Sequence, residues 1–483
     1  MKLTALDLVR LAGACAAIAI TWWIVRDAPF LSEDWTHLAA ARADAGWTSA
    51  FDLAREPLRP LQHLFFHVLA RFDHPDPAAA RAVSFGLHAL ACALVFALAI
   101  ELRTGARAAS AAALLFALAP SVKGLAWSAS ISTPGRAVFV LAGLWCFARA
   151  LRTGSKPAGA GLLACFLLAL GFHESAIVLP VLCVAWAALA GERAAPVRDR
   201  AKAALTALRM PELATLCIAT LAYVTYLALL RPERHHGLKS LAALPANAVK
   251  ASLALFPEVV RANTVELLRA HPGAVGLAAG VVLLLALGAL AWCVLARGDR
   301  IARFAVLAVA IDLLLPTIGA GFVQRYAYLG MAFAALALGA WAARTDRVPS
   351  LLFVIVVGCA WASDGLNDAR EYADAGKRAT RIVEAACALR ARTPETVVVA
   401  IVDPPDVLGS ERDVPVFNWG LAQALERAGC DRGFVLWRTR PYATSTDVEL
   451  VTLERLRAAE ARGEVVLVKG DAHFPSFPFV RDE

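Results

Sequence analysis

Long apolar runs alternate with short charged ones along the first three quarters of the chain, and then the pattern changes. The runs are about 15–24 residues long, and most can cross ~30 Å of hydrocarbon as helices. The pattern predicts about eleven spans, near 6–25, 82–102, 107–121, 134–151, 158–172, 175–190, 212–230, 273–296, 303–321, 326–343 and 348–363. No A-x-A-like cleavage site follows the first span and more spans come after it, so it reads as a retained anchor. Asp7 and Arg10 fall in its first turns, so its apolar core starts near Leu11.

Two connections are long. Residues 26–81 contain SEDW (Ser32 to Trp35), EPLRPLQHLFFH and DHPDP, a mixture that fits amphipathic helices lying on a membrane surface. Residues 231–272 contain RPERHHGLKS and an expected interfacial helix from Asn247 to Leu268. Connections of that length are functional or disordered.

From residue 364 the pattern is that of a water-soluble domain. DAREYADAGKRATRIVEAACALRAR reads as an amphipathic helix, and Thr396 to Asp403 as a strand ending in a Pro-Pro turn. VFNWGLAQALERAG reads as a helix closed by Gly429, and GFVLW, VELVTL and EVVLVKG read as strands. The expected fold is an α-helical polytopic membrane protein over 1–363, with a small α/β domain over 364–483. The tail sequence holds no phosphate-binding glycine loop, metal cluster or catalytic triad.

Composition agrees: 59% of residues are hydrophobic and mean hydropathy is +0.59, against about 45–50% apolar residues in soluble domains. The net charge of +8 does not point to nucleic acid, because the basic residues cluster between spans. Arg103, Arg107, Arg149, Arg152 and Lys156, then Arg193 to Arg209, Arg297 to Arg303, Arg344 and Arg347 crowd one side. The other side carries only Lys123, Arg136 and Arg325 in its short loops. The positive-inside rule places the amino terminus in the cytoplasm, and eleven crossings place the tail outside. Heavy alanine and arginine usage suggests a bacterium with GC-rich DNA, hence an inner (plasma) membrane. Eight of ten cysteines lie in apolar segments as small hydrophobes. Cys387 and Cys430 lie in the tail and could pair if it is exported.

Glu33 and Asp34 follow the first span and so sit at the outer surface. They read either as a general base with its neighbour or as first-turn acids of a helix capped by Ser32. Arg59 could clamp a phosphate or face lipid headgroups. His173 and Glu174 are either a polar cap on a tight hairpin or site groups. His63 and His67 share that ambiguity. His88 and Asp312 lie inside spans, where ionisable groups are functional candidates, although a structural partner accounts for each equally well. Arg325 could bind phosphate or snorkel, and the belt of interfacial aromatics explains Tyr326 and Tyr328.

Taken in order, these pieces resemble the GT-C glycosyltransferases, nearest to the protein O-mannosyltransferase-like and tetratricopeptide-containing O-mannosyltransferase branches. SEDW resembles their acidic motif, PLRPL their Arg-Pro motif, and SFGLHALACALV the span bearing Leu-His. LLFALAPSVKGLAWSASISTPGRAV, GFHESAIVLP and QRYAYLG resemble three further segments, so the resemblance covers about 1–345. It implies a polyprenyl-phosphate-linked sugar donor and an inverting attack by a hydroxyl of a protein, lipid or glycan acceptor on the outer face. On that basis Asp34 with Glu33 activates the acceptor. Arg59, Arg325 and His173, with Glu174 and Tyr326, hold the donor phosphate. The sequence departs from the family at Glu33 (usually Asp), His173 (usually Lys) and Gln324 (usually Glu). No cofactor is implied. The paired acids could hold a divalent metal but lack a full ligand set. The competing readings are a transporter or lipid flippase, a non-catalytic membrane protein whose tail binds a partner, and a polysaccharide ligase working through 231–272.

Overall fold

A computed structural model describes residues 3–44, 46–51, 59–120, 124–189, 197–230, 244–256, 261, 264, 299–318, 324–344, 348–393, 397–402, 407–408, 414–415, 420–430, 434–438, 449–463 and 465–468. The expected span 273–296 and most of the connection 231–272 lie outside these residues.

Helix starts follow local signals. Helix α1 (Ala5–Val25) opens with a capping box, in which Thr4 accepts from the Asp7 N–H and the Asp7 carboxylate accepts from the Thr4 N–H. Asp7 is buried, and Ser110 of a neighbouring helix also donates to it at 2.8 Å, which satisfies a charge in the first turn of a span. Two short helices follow in the first long connection, α2 (Glu33–Ala43) and α3 (Pro60–Ala70). Helix α4 (Pro77–Glu101) is capped by Asp76, with proline at its first position. Then come α5 (Ala106–Leu118), α6 (Ser132–Thr153), α7 (Lys156–Phe172) and α8 (Val178–Leu189). Gly154 ends α6 in the left-handed conformation at φ +66°, and Ser155 caps α7. Helices α9 (Val197–Leu208) and α10 (Pro211–Leu230) meet at a bend of 81°, set by Pro211. Next are α11 (Leu244–Leu253), α12 (Arg300–Ile318), α13 (Tyr328–Ala342) and α14 (Val348–Arg392).

Among the described residues four helices are long and apolar enough to cross a membrane: Ala5–Val25, Pro77–Glu101, Ser128–Thr153 and Leu352–Arg392, or five if the bent pair counts as one span. Helices α5, α7 and the segment Glu174–Leu189 are apolar but shorter. Leu6, Leu8, Val9, Ile20 and Trp23 of α1 are exposed, as are Leu352, Phe353, Ile355 and Val356 of α14. In water such faces would aggregate; in a bilayer they meet hydrocarbon. Helices α5 and α13 approach closely at Gly339, where a methyl group would collide with the Ala108 and Ala112 backbone.

Helix α14 is 45 residues long and carries the chain without a break from its apolar first half into the tail. The expected boundary at 363/364 therefore falls inside one helix. Beyond it, strands β1 (Val398–Val402), β4 (Phe434–Arg438), β5 (Glu449–Leu450) and β6 (Val465–Val468) form a parallel sheet in the order β5-β4-β1-β6. Strands β2 (Val407–Leu408) and β3 (Val414–Pro415) pair antiparallel. Helix α15 (Leu421–Arg427) lies between β3 and β4, and α16 (Leu453–Ala461) between β5 and β6, as parallel crossovers require. Cys387, near the end of α14, forms a disulfide with Cys430, just past α15.

The tail packs on the first long connection, so both lie on the same face of the helix bundle. Helix α15 contacts α2, and Arg427 Nη2 lies 3.3 Å from His74 Nδ1. Gly420, at φ +80°, rests on Ser32, whose carbonyl oxygen a methyl group at that position would strike. Gly376 of α14 abuts Pro29 in the same way. A cavity of 380 Å³ remains between the two parts, lined by Phe30, Trp35, His74, Glu384 and Arg427 among others.

Candidate functional site

Three chain segments at this end of the bundle enter their helices through a 3-10 turn: Ser128–Ile131 before α6, Glu174–Ile177 before α8 and Gln324–Ala327 before α13. Together with Arg59, which starts α3 ahead of Pro60, they bring polar groups to one place.

Arg59 forms the centre. Its Nε donates to Glu174 Oε2 at 2.9 Å and its Nη2 to Oε1 at 2.7 Å, a bidentate pair. Nη2 also lies 3.1 Å from His173 Nε2. Burial works against both charges of the pair. Mutual attraction outweighs it, so the Arg59 guanidinium is raised and the Glu174 carboxyl is held well below the ordinary carboxylate range. His173 is pushed well below the usual imidazole value, first by burial and then by the Arg59 charge, with Glu174 opposing. It is therefore neutral at physiological pH.

Arg325 stands beside this pair. Its guanidinium carbon lies 4.5 Å from the Trp127 ring centroid and 5.5 Å from that of Tyr326. Tyr326 in turn meets the His173 ring edge-on at 6.2 Å. Among the described residues Arg325 makes no hydrogen bond or ion pair. Glu33, the first residue of α2, is partly buried and likewise has no hydrogen-bonded or ion-paired partner among the described residues. Burial raises its carboxyl above the ordinary value, while Arg325 and Arg59 pull it back. Glu33 thus lies within electrostatic reach of both guanidinium groups.

Asp34 points elsewhere, which corrects the expected pairing of the two acids. It is fully buried, with Oδ2 accepting from the Leu31 N–H at 3.1 Å and Oδ1 from the Ala129 N–H at 2.6 Å. Burial pushes its carboxyl up to about 7, against the pull of the Leu31 N–H, Arg81 and the Ala129 N–H. Both Asp34 oxygens are thus taken by backbone N–H groups. The expected serine cap is also absent: Ser32 adopts φ +43°, and its side chain makes no cap bond.

Residues outside the expected set support the site. The buried, irregular backbone of 125–129 is satisfied by three side chains: Arg81 Nε on the Ala126 carbonyl at 2.8 Å, Gln62 on the Ala129 carbonyl at 2.7 Å, and Asp34 on the Ala129 N–H. Arg81 also holds the Ala28 carbonyl and, at 2.7 Å, that of Pro29. A lone arginine in the first turns of an apolar helix was the available signal for Arg81. Arg136, counted above as a loop charge, is buried in α6 and pairs with Asp312 at 3.2 Å.

The intramembrane candidates are thereby placed. Asp312 Oδ2 accepts from the Gly330 N–H at 2.9 Å, so its carboxylate ties α6, α12 and α13 together. His88 Nδ1 lies 2.6 Å from the Tyr328 hydroxyl, on the wall of an apolar cavity of 260 Å³ that Gly13, Thr21 and Gly365 also line. His67 bonds Asp44 and Ser49 and lies in the first connection, not among the clustered groups.

No protein-family model matches the chain, and no curated protein matches it. Among solved structures, the chain is similar to the crystal structure of ArnT from Cupriavidus metallidurans bound to undecaprenyl phosphate. The TM-score is 0.48 at 11% identity, covering 96% of this chain and 90% of that one. A likeness this distant leaves the chemistry to be argued from the side chains.

Proposed function

We propose that the protein is a membrane glycosyltransferase that moves a sugar from a polyprenyl-phosphate donor to an acceptor hydroxyl at the outer face, with inversion. The observation that carries this reading is the cluster of Arg59, His173, Glu174 and Arg325, with the Glu33 carboxyl at the start of α2 within electrostatic reach of both guanidinium groups. Glu33 takes the proton of the acceptor hydroxyl as its oxygen attacks the anomeric carbon. The bond from that carbon to the phosphate oxygen breaks, and the departing phosphate is received by Arg59, Arg325 and His173. A phosphate leaving group is already a weak base, so it needs positive charge and hydrogen bonds more than a proton. Glu174 orients Arg59, and Tyr326 packs against both Arg325 and His173. Asp34 acts at one remove, by fixing the segment that carries Trp127. On this reading the disulfide-linked tail lies in an oxidising compartment outside the inner membrane, beside the acceptor.

The test is sugar transfer from polyprenyl-phosphate donors by membranes bearing wild type, Glu33→Gln and Arg59→Ala. Transfer by wild type and its loss in both variants are expected; equal transfer by all three would overturn the assignment.

A further inference from the structure

The turn that carries Glu33 is held in a conformation its sequence does not favour. The Leu31 carbonyl accepts the Asp34 N–H at 2.8 Å, which closes a four-residue turn with Ser32 and Glu33 at its centre. Ser32 has φ +43° and ψ −116°, the region of the first central residue of a type II′ turn. Glycine is the usual residue there, because a Cβ crowds its own backbone at positive φ. A serine in that state persists only where its surroundings impose it.

The surroundings come from two sides. From the bundle, Arg81 holds the Ala28 and Pro29 carbonyls, and Asp34 holds the Leu31 N–H. From the tail, Gly420 at the start of α15 lies on the Ser32 carbonyl, and Gly376 of α14 lies on Pro29. Neither glycine has room for a methyl group. Ser32 itself is fully buried. The bundle thus fixes the residues ahead of Ser32, and the tail bears on Ser32 directly. The Cys387–Cys430 disulfide joins α14 to the end of α15, so both tail contacts belong to one linked unit.

We propose that the tail is a clamp: Gly420 holds the Ser32 carbonyl in the II′ conformation and thereby sets the position of Glu33, the next residue, while the disulfide keeps Gly420 seated. The use of Glu33 as a base rests on the function proposed above; the clamp on the turn does not. Gly420 and Ser32 are positioning residues that touch no substrate. Arg59, Glu174 and Arg325 are carried by α3 and by the turns ahead of α8 and α13. Release of the tail therefore takes the base out of place and leaves the donor-holding groups standing.

The test uses the full chain in nanodiscs. Hydrogen–deuterium exchange of the peptide spanning 28–36 reads the turn, and steady-state sugar transfer reads the base. Gly420→Ala should raise exchange at the turn and lower kcat about ten- to a hundredfold, the effect of a misplaced catalytic group, with donor KM unchanged. Glycine at position 32 adopts the turn unaided. In the Ser32→Gly background Gly420→Ala should therefore cost kcat less than about twofold. A second arm needs no substitution. Wild type treated with a phosphine, which is oxidised to the phosphine oxide as the disulfide becomes two thiols, should behave as Gly420→Ala does and recover on reoxidation. Equal loss with serine or glycine at position 32, a loss that appears in donor KM, or a turn whose exchange ignores release of the tail overturns the clamp. A wild type that transfers no sugar, while exchange at the turn rises on release of the tail, overturns the reading of Glu33 and leaves the clamp standing.

Discussion

Asp34 accepts a hydrogen bond from the Ala129 N–H, 95 residues further along the chain. That bond ties the start of α2 to the turn that carries Trp127, and Trp127 lies under Arg325. On the proposed reading the two acids of SEDW divide the work: Asp34 ties the segment together and Glu33 serves as the base.

Asparagine at position 34 should unfold the site, because its amide NH₂ must face one of two backbone N–H groups that the carboxylate now satisfies. Asp34→Asn is expected to lower stability by about 1–3 kcal/mol, read as a lower thermal midpoint in detergent. Glu33→Gln should leave that midpoint unchanged and cut transfer by at least about a hundredfold. A stable Asp34→Asn protein would show that Asp34 is not a structural tie.

Acidity should affect the two residues in opposite senses. Glu33 acts as its carboxylate, and its folded value is raised, so transfer should climb with pH through a limb above the ordinary carboxylate range. A pH–rate profile checks this, and the limb should vanish in Glu33→Gln. The Asp34 carboxyl is raised from 3.8 to about 7, so its contribution to stability is greatest below 3.8 and is lost as pH rises through about 7. Thermal midpoints across that window read the sign.

Lysine should not replace Arg59. It cannot make the bidentate pair with Glu174 while also reaching His173. Arg59→Lys is expected to raise KM for the lipid-phosphate donor about tenfold or more with a smaller change in kcat, and Arg59→Ala to do more. Steady-state kinetics on membranes decides. A change confined to kcat would place Arg59 outside donor binding.

The disulfide should hold the tail on α2. Cys387 and Cys430 are 43 residues apart, so breaking the link should cost about 2–4 kcal/mol of tail stability. Cys430→Ser should expose Gly420 and α15 to limited proteolysis ahead of the membrane helices. Mass spectrometry after alkylation without reductant should find neither cysteine modified in protein made in its own membrane. Two modified cysteines would place the tail in a reducing compartment.

Gly420 offers an independent probe of the same contact. At φ +80° and against the Ser32 carbonyl, it has no room for a methyl group. Gly420→Ala should loosen the tail as Cys430→Ser does, without touching the disulfide. Proteolysis rates of the two variants check it, and an unchanged rate would mean that the tail does not rest on Ser32.

The boundary expected at 363/364 falls inside one helix, but the apolar periodicity by itself determined that the chain is mostly helical and that it has faces fit for hydrocarbon. Those are local properties, set by runs of side chains against water or lipid. SEDW, PLRPL, GFHES and QRY were legible as charged islands between apolar runs, and all four supply the clustered groups. Their division of labour was not legible. That Asp34 turns to Ala129 while Glu33 stays within electrostatic reach of Arg59 depends on a helix phase and a partner 95 residues away. Arg81 and Arg136 looked like stray charges because their acceptors, backbone carbonyls, Ser175 and Asp312, lie on other elements. A buried charge is defined by its partner, and only the tertiary structure brings partners together.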